Sequence, residues 1–275
     1  MTEPDEKGWT GDDAAPRFDP NLGYRPTVSV VVLSHRADPP DELLFNAVRS
    51  VKRQTFPAEE IELVVKHGTV YHGHKLNQAL QACAGEFLVP CLPDDDELHP
   101  DFLAETVRVL RFLGDACDFV YTNVFLFGGP DGDREVPMPA EFNTHTASLQ
   151  AFPWMTFLIR RRALLAVSPA RRLEWLYQLM GIARPLAPYD PRQQYLDWDL
   201  GRTMARHGLR GAHVPLPLYR VREHPGNGHK HMRHGDATFA VRNKAVQLGP
   251  PTAVLPEFHY PPWYPGRPDI LENVS

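Results

Sequence analysis

The fold is decided by CAGEFLVPCLPDDDELHPDFL, residues 83–103. Residues 87–92 within it are mostly apolar, which predicts a buried strand, and consecutive aspartates follow at positions 94–96. Adjacent carboxylates repel one another, so such a cluster is stable only in water or opposite a cation. Ligands bind at the carboxyl ends of strands in open α/β sheets, where a hard divalent ion commonly joins one or two carboxylates to substrate phosphates. An acidic turn that caps a helix starting near Pro100 is the structural alternative.

Strands and helices alternate on both sides of this stretch. Val28–Leu33 is apolar and β-branched apart from one serine, as in a strand buried on both faces, and Ile61–Val65 and Cys117–Phe127 predict further strands. Helical spacing of apolar residues predicts helices between the strands, including Phe102–Leu113. Such alternation implies right-handed βαβ units, so we expect an α/β fold with a mainly parallel central sheet and helices on both faces.

The second half of the chain is less regular. Residues 128–153 are polar and contain prolines, and we expect a long loop there. Further elements are predicted at Trp154–Ala166 (a strand, then a helix), Arg171–Met180, Leu196–His207 and Asp236–Leu248. The tail from Pro250 onward is rich in proline and aromatic residues, and we expect it to pack across its own domain or a partner subunit.

Composition limits the class of protein. With 275 residues, of which 43% are apolar, the chain can bury the core of one large domain or two fused halves. Its formal charge of −5 does not suggest a nucleic-acid binder, whose surface would be basic. The 3 cysteines lack Cys-x-x-Cys spacing, and an odd number suits reduced thiols. No apolar stretch reaches the roughly 20 residues that span a bilayer, and no signal peptide opens the chain, so we expect a cytoplasmic protein.

The region around the aspartates resembles the nucleotide-sugar-dependent glycosyltransferases of family 2, which have a GT-A fold and a metal-binding Asp-x-Asp motif. Further stretches match that family in the expected order: TVSVVVLSHR at Thr27–Arg36, AVRSVKRQTFPAEEIELVV at Ala47–Val65, GHKLNQAL at Gly73–Leu80, and LDWDLGRTMARHGLRGAHVPLPLYRVREHPGN at Leu196–Asn227. The resemblance covers residues 27–230. It implies a GT-A (Rossmann-like) fold and inverting transfer of a hexose from a nucleotide diphosphate sugar.

The resemblance also divides the chain by role. Residues 26–127 would bind the nucleotide sugar, and residues 128–234 would bind the acceptor and carry the catalytic base. Residues 1–25 are acidic and rich in Gly and Pro, which predicts a flexible arm. Residues 235–275 would hold a last helix and the tail, through which a homo-oligomer could form. A UDP-sugar is the expected donor, and the acceptor would be a carbohydrate, a lipid-linked molecule or a protein.

For the metal, the family pattern Leu-Asp-x-Asp-Asp aligns with LPDDD, residues 92–96. Asp95 then occupies the position of the usual metal ligand, and Pro93 stands where the family has its first aspartate. A shift of register by one residue makes Asp94 and Asp96 the motif instead. The resemblance implies Mn²⁺ or Mg²⁺, with Asp95 and Asp96 as ligands and Asp94 at the donor.

For the base, LDWDL at residues 196–200 resembles the family's Glu-Asp-x-Asp-Leu, with Leu196 in place of the glutamate. Asp197 falls on the catalytic-base position of the inverting enzymes. A structural role as the N-cap of the following helix is the alternative, and the two roles are compatible. Asp199 lies about 200° around the helix from Asp197 and is expected to make structural hydrogen bonds.

His224 lies near the histidine of the family's Tyr-Arg-x-His-type motif, which implies contact with the metal or the diphosphate. An imidazole nitrogen can ligate a transition metal such as Mn²⁺. The alternative is an exposed histidine without a role, since the chain has 13 histidines. Arg222 precedes it and is expected to contact a phosphate.

For the nucleotide, Ser34, His35 and Arg36 follow the first strand, where the family contacts the base. Lys75 and Asn77 open the helix after the second strand, and Lys75 is a reasonable diphosphate contact at a helix N-terminus.

Lys66 departs from the family. It opens the sequence VKHGT, where the family has Val-Asp-Asp-Gly-Ser and an aspartate recognises the uracil or ribose. Its positive charge would favour another nucleotide, contact a phosphate, or mark a decayed site. Because Lys66, Pro93 and Leu196 each replace a carboxylate of the family, a non-catalytic scaffold that binds nucleotide sugars is the main rival to an enzyme. A metal-dependent nucleotidyltransferase or pyrophosphatase that uses the same aspartates is a third hypothesis.

Overall fold

The computed structural model describes residues 27–34, 42–66, 72–149, 154–168, 188–189 and 196–224. The strands are β1 (Val28–Leu33), β2 (Ile61–Lys66), β3 (Phe87–Pro93), β4 (Glu97–Leu98), β5 (Phe119–Phe127), β6 (Arg134–Val136), β7 (Phe157–Arg160) and β8 (Gly211–Arg222). The helices are α1 (Glu42–Lys52), α2 (His72–Ala82), α3 (Phe102–Leu113), α4 (Thr146–Leu149), α5 (Arg161–Val167) and α6 (Leu196–Arg206), with short 3₁₀ turns at Ala58–Glu60 and Gly114–Ala116.

These strands form one 8-stranded sheet in the order β2-β1-β3-β7-β5-β8-β4, with β6 paired to β5. The pairs β1–β2, β1–β3 and β5–β8 are parallel, as the alternating pattern predicted. Strand β7 lies antiparallel between β3 and β5, and β4 pairs antiparallel with β8. The sheet is therefore mostly parallel, and its two parallel halves are joined by an antiparallel strand.

The core has two layers, one on each face of the sheet. One layer combines apolar side chains of α2, α5 and α6, such as Leu80, Leu164 and Leu200. The other combines side chains of α1 and α3, such as Leu44 and Leu110. Helices therefore cover both faces, which confirms the predicted architecture. No helix among the described residues is long and apolar enough to cross a membrane.

The structure corrects one expectation and leaves others untested. Residues 128–153 do not form a continuous loop, because β6 pairs with the end of β5 as a hairpin and α4 follows it. Strand β6 was not predicted because the hairpin has polar side chains. Its stability comes from pairing with β5 rather than from burial. The helices predicted at Arg171–Met180 and Asp236–Leu248, the arm and the tail lie outside the described residues.

Candidate active site

The aspartates at the end of β3 have different environments. Asp94 is fully buried, and Asp96 is nearly so. The Asp95 side chain between them keeps 15% of its surface exposed. β3 ends at Pro93, and Asp94 and Asp95 lie in a turn in which the Asp96 N–H donates to the Pro93 carbonyl at 3.2 Å, so the turn separates the central carboxylate from its neighbours.

Asp94 belongs to a buried polar cluster with Ser34 and Lys75. One of its carboxylate oxygens accepts a 2.6 Å hydrogen bond from the Ser34 hydroxyl, and the Lys75 ammonium donates to the Ser34 carbonyl at 3.0 Å. Burial lowers the pKa of Lys75, and the negative charge of Asp94 opposes that change. The cluster ties together the ends of β1 and β3 and the start of α2. It brings three predicted donor-site residues together beneath the surface.

Asp96 connects β3 to β8. Its two carboxylate oxygens accept from the backbone N–H of Arg222 at 3.2 Å and from the Tyr219 hydroxyl at 3.4 Å. Burial raises the pKa of Asp96 well above its usual value, and the charge of Asp95 raises it further. Both carboxylate oxygens of Asp96 therefore accept hydrogen bonds from β8. This arrangement is typical of a structural residue rather than of an open metal ligand.

Asp95 instead pairs with His224. Its carboxylate lies 3.0 Å from Nε2 of His224, whose side chain is 24% exposed. The preceding residue, Glu223, is fixed in place by two sets of contacts. Its backbone N–H donates to the Phe127 carbonyl at 2.8 Å, and its carboxylate accepts two hydrogen bonds from the Arg134 guanidinium at 2.9 and 3.3 Å. The β5–β6 hairpin thus holds the end of β8 where His224 meets Asp95.

Arg222 has a different environment from the one its predicted phosphate contact suggests. Its guanidinium donates to Glu97 at 2.7 Å and lies over the Phe127 ring, 4.4 Å from the ring centre. Arg220 approaches the same glutamate at 3.7 Å. The carboxylate of Glu97 therefore balances the positive charge of two arginines. The contact of Arg222 with the aspartates is made by its backbone N–H, which donates to Asp96.

Asp197 lies in the first turn of α6 and is half-buried. Burial raises the pKa of its carboxyl, and hydrogen bonds from the backbone N–H groups of Trp198 and Asp197 oppose the change. Because α6 begins at Leu196, Asp197 is inside the helix rather than at its N-cap. Trp198 is a core residue whose indole donates to the Ala147 carbonyl at 2.9 Å, which docks α6 onto α4.

Asp199 is the second acidic residue in the first turn of α6. It is buried, and its negative charge acts on the guanidinium groups of Arg202 and Arg206. Its backbone carbonyl accepts from the Thr203 hydroxyl at 2.8 Å. These contacts keep Asp199 within the packing of α6.

Cys91 is the common neighbour of these acidic groups. Its thiol is buried in β3, and burial raises its pKa. The charges of Asp96, Asp197, Asp95 and Asp94 raise that pKa further, in that order. The aspartates after β3 and the aspartate of α6, about 100 residues apart in the chain, therefore act on the same thiol, and Cys91 lies in one core layer with Leu196, the residue before Asp197.

The remaining predicted donor residues have separate environments. Lys66 ends β2 with a half-buried side chain, and its carbonyl accepts from the Ser34 N–H at 2.8 Å. The amide of Asn77 bonds to the backbone of Tyr189. His35 and Arg36 lie outside the described residues.

The sequence reasoning missed the residues that hold this edge together. Gln54 donates to the His99 carbonyl at 2.8 Å and accepts from the Leu103 N–H at 2.9 Å, while the Ser50 hydroxyl accepts from the Leu98 N–H at 3.0 Å. These contacts fix the chain that follows the aspartates. The signal was the stretch Ala47–Val65 that resembles the family, which contains Ser50 of α1 and Gln54 just after that helix but does not reveal their partners.

A divalent ion fits this edge with few protein ligands. Among the residues that the structure describes, no group of three or more His, Cys, Asp or Glu side chains is arranged to hold a metal ion. Asp95 and His224 offer one carboxylate and one imidazole, a donor set that suits Mn²⁺. Ions that bind with substrate phosphates commonly take only one or two protein carboxylates, so the pair is sufficient.

Comparison with known proteins identifies the fold. No family model and no curated protein matches the sequence. The chain is similar to TarS of S. aureus in complex with UDP-GlcNAc, at 16% identity and a TM-score of 0.57, over 80% of this chain and 66% of that one. The UDP complex of TarS matches at 16% identity and a TM-score of 0.51, over 72% of this chain and 61% of that one.

A mannosyltransferase from Pyrobaculum calidifontis, in complex with GDP-Man and Mn²⁺, matches at 18% identity and a TM-score of 0.53. That match covers 90% of this chain and 70% of the other. This chain spans less than two thirds of the length of the TarS chains. The likeness confirms the GT-A fold that the sequence predicted.

Proposed function

We propose that the protein is a metal-dependent inverting glycosyltransferase of the family 2 type. It would move a hexose from a nucleotide diphosphate sugar to an acceptor hydroxyl on a carbohydrate, a lipid-linked molecule or a protein. The observation that carries the proposal is the Asp95–His224 pair just after β3, together with the start of α6, where Leu196 beside Asp197 shares a core layer with Cys91 of β3. The proposal draws further support from the solved structures of the same fold, which hold UDP-GlcNAc, UDP or GDP-Man.

Asp95 and His224 are the residues that would hold Mn²⁺ or Mg²⁺. When bound, the ion would offset the negative charge that develops on the leaving diphosphate. Asp96 is assigned a supporting role here, because both of its oxygens accept hydrogen bonds from β8. This assignment narrows the sequence-based ligand set from three residues to two.

Asp197 would act as the general base. It accepts the proton of the acceptor hydroxyl while that oxygen bonds to the anomeric carbon, and the bond from that carbon to the diphosphate oxygen breaks. Burial raises the pKa of the carboxyl, which makes Asp197 a stronger base than an exposed aspartate. A single displacement of this kind inverts the configuration at the anomeric carbon.

The donor would lie along the ends of β1 and β2. His35 and Arg36, which follow β1, and Lys66, the last residue of β2, are proposed to contact the nucleotide, with the Lys66 side chain near a phosphate or the base. Ser34, Lys75 and Asp94 are proposed to support this surface from below, since all three are buried.

A scaffold that binds nucleotide sugars without turnover is the second candidate. Pro93 pairs with Leu33 in the sheet, and Leu196 is buried in the core, so neither can replace the carboxylate that the family carries there. Lys66 reverses the charge at a third such position. These departures favour the scaffold, whereas the Asp95–His224 pair and Asp197 favour the enzyme.

Turnover separates the two candidates. Purified protein is assayed with UDP-, GDP-, CDP- and dTDP-sugars, a broad panel of acceptors, and Mn²⁺. Asp197→Asn keeps the shape of the side chain but cannot take a proton, so transfer should fall at least about a hundredfold, the low end of the usual contribution of a positioned base. Donor affinity and melting temperature should change little.

Asp199→Asn is the matched control, because it makes the same substitution two residues further along α6. Its melting temperature reports any loss of packing, and its transfer rate should stay far above that of Asp197→Asn. Near-wild-type transfer by Asp197→Asn would place the base elsewhere. A wild-type protein that binds nucleotide sugars without turnover on the whole panel would establish the scaffold.

A further inference from the structure

Asn77 contacts the backbone of a residue that is 112 positions away in the chain. Its side-chain N–H donates to the Tyr189 carbonyl at 2.8 Å, and its side-chain oxygen accepts from the Tyr189 N–H at 3.1 Å. The side-chain amide of Asn77 therefore bonds to both the N–H and the carbonyl of Tyr189, as a residue of a neighbouring β-strand would. Two hydrogen bonds from one short, half-buried side chain fix both the position and the direction of the backbone at Tyr189.

Tyr189 lies in the core next to the elements that carry the candidate active site. Its side chain is buried, and its hydroxyl donates to the sulfur of Met155 at 3.7 Å. Tyr189 belongs to the same core layer as Cys91 of β3 and Leu196, the residue before Asp197. Burial raises the pKa of its phenol well above the usual value, and the charges of Cys91 and Asp197 raise it further. Tyr189 therefore packs in the core that is shared by the strand leading to Asp95 and the helix carrying Asp197.

The contact joins the two functional halves of the chain. Asn77 is on α2, which follows β2 and also carries Lys75 of the buried cluster beneath the proposed donor surface. Tyr189 precedes the helix of the proposed base by a few residues. A displacement of Tyr189 would let Asp197 move relative to the donor, and small misplacements of reacting groups have large effects on rate.

We propose that Asn77 is a positioning residue that holds Tyr189, and through it Asp197, in register with the bound donor. The inference rests on the proposed function, in which Asp197 is the base. It replaces the sequence-based assignment of Asn77 as a donor contact. The two assignments make opposite predictions: a donor contact changes donor affinity, whereas a positioning residue changes the rate of transfer at saturating donor.

The experiment uses the full chain with Asn77→Ala, which removes both hydrogen bonds, and Asn77→Asp, which places a second oxygen against the Tyr189 carbonyl. Gln78→Ala is the matched control, because Gln78 is exposed on the same helix. Transfer kcat is measured at saturating donor, and donor Kd is measured by calorimetry. We expect kcat to fall by about tenfold or more in both Asn77 variants, with donor Kd within about twofold and Gln78→Ala unchanged.

A second measurement does not require activity. Hydrogen exchange of the Tyr189 amide is followed in the protein without ligands, and it should be faster in Asn77→Ala because the amide loses its acceptor. Transfer by Asn77→Ala combined with Tyr189→Leu should be no slower than the slower single variant, since both act through one contact.

The outcomes distinguish this inference from the proposed function. Unchanged exchange at Tyr189 would overturn the anchor, and faster exchange with normal kcat would overturn its link to catalysis. A donor Kd weakened tenfold with normal kcat would restore Asn77 as a donor contact. Faster exchange in a protein whose wild type has no turnover would overturn the catalytic role of the anchor and the proposed function together, while leaving the contact itself established.

Discussion

Two neighbouring carboxylates, Asp94 and Asp95, show how one acidic run is divided between structure and function. Asp94 is fully buried with Ser34 and Lys75 and joins the ends of two strands to a helix. Asp95 is partly exposed and pairs with His224 at the surface. The difference comes from the turn that follows β3, which is closed by the hydrogen bond from the Asp96 N–H to the Pro93 carbonyl and directs the two side chains to different partners. The buried carboxylate of Asp94 therefore contributes to folding, whereas the partly exposed carboxylate of Asp95 is available to a ligand.

Because Asp94 is buried and Asp95 is partly exposed, we expect the same substitution to alanine to lower the free energy of unfolding much more at Asp94 than at Asp95. Asp94→Ala removes the buried acceptor of the Ser34 hydroxyl, and leaving such a buried donor without its partner costs about 1–3 kcal/mol, with a further loss from the missing negative charge near Lys75. Asp95→Ala removes a partly exposed contact worth about 1 kcal/mol or less. Chemical denaturation of both variants measures the free energy of unfolding. Equal losses of stability would show that burial does not separate the two residues.

A smaller effect concerns the pH dependence of transfer. The pKa of Asp197 is raised from the usual 3.8 by burial, and a base works only when it is ionised. As pH falls through this raised pKa, Asp197 takes a proton and transfer is lost, so the acid limb of kcat should lie above 3.8. Rate profiles at saturating donor locate the limb. An acid limb at or below 3.8 would contradict a buried base.

The smallest expected effect is the choice of nucleotide. Lys66 ends β2 where the resembling family carries an aspartate that reads the uracil or ribose. We expect binding through the diphosphate, with a preference for UDP over GDP, CDP and dTDP of less than about tenfold, or about 1.4 kcal/mol. Calorimetric titration with the four nucleotides measures this preference. A larger UDP preference would mean that another residue reads the base.

Local pattern accounts for what the sequence predicted correctly. Apolar runs such as Val28–Leu33 and Phe87–Pro93 form the buried parallel strands, and the spacing in Phe102–Leu113 forms a helix. The acidic run marked the edge of the sheet where the candidate site lies. These features depend on residues close together in the chain, so a single sequence contains them.

Long-range pairing accounts for what the sequence did not predict. The contacts of Asp94 with Ser34, of Asp96 with Tyr219, and of Asn77 with Tyr189 join residues 60 to 123 positions apart. The β5–β6 hairpin is likewise set by its partner strand rather than by its polar composition. Which aspartate is exposed follows from the exact position at which β3 ends, and composition does not fix it.

The central claim is that Asp95, alone among the three aspartates after β3, presents its carboxylate to a divalent ion. Donor nucleotide is titrated by calorimetry with and without Mn²⁺, using wild type, Asp95→Ala and Asp96→Asn. Asp96→Asn is the matched control, because it changes a buried neighbour whose oxygens accept from β8. Melting temperatures verify that each variant is folded.

We expect Mn²⁺ to strengthen nucleotide binding in wild type and in Asp96→Asn, and to have no effect on Asp95→Ala. Asp95→Ala should also lack transfer activity while its melting temperature stays near that of wild type. Binding by Asp95→Ala that still depends on Mn²⁺ would contradict the account. It would remove Asp95 from the site and return the metal to the other two aspartates.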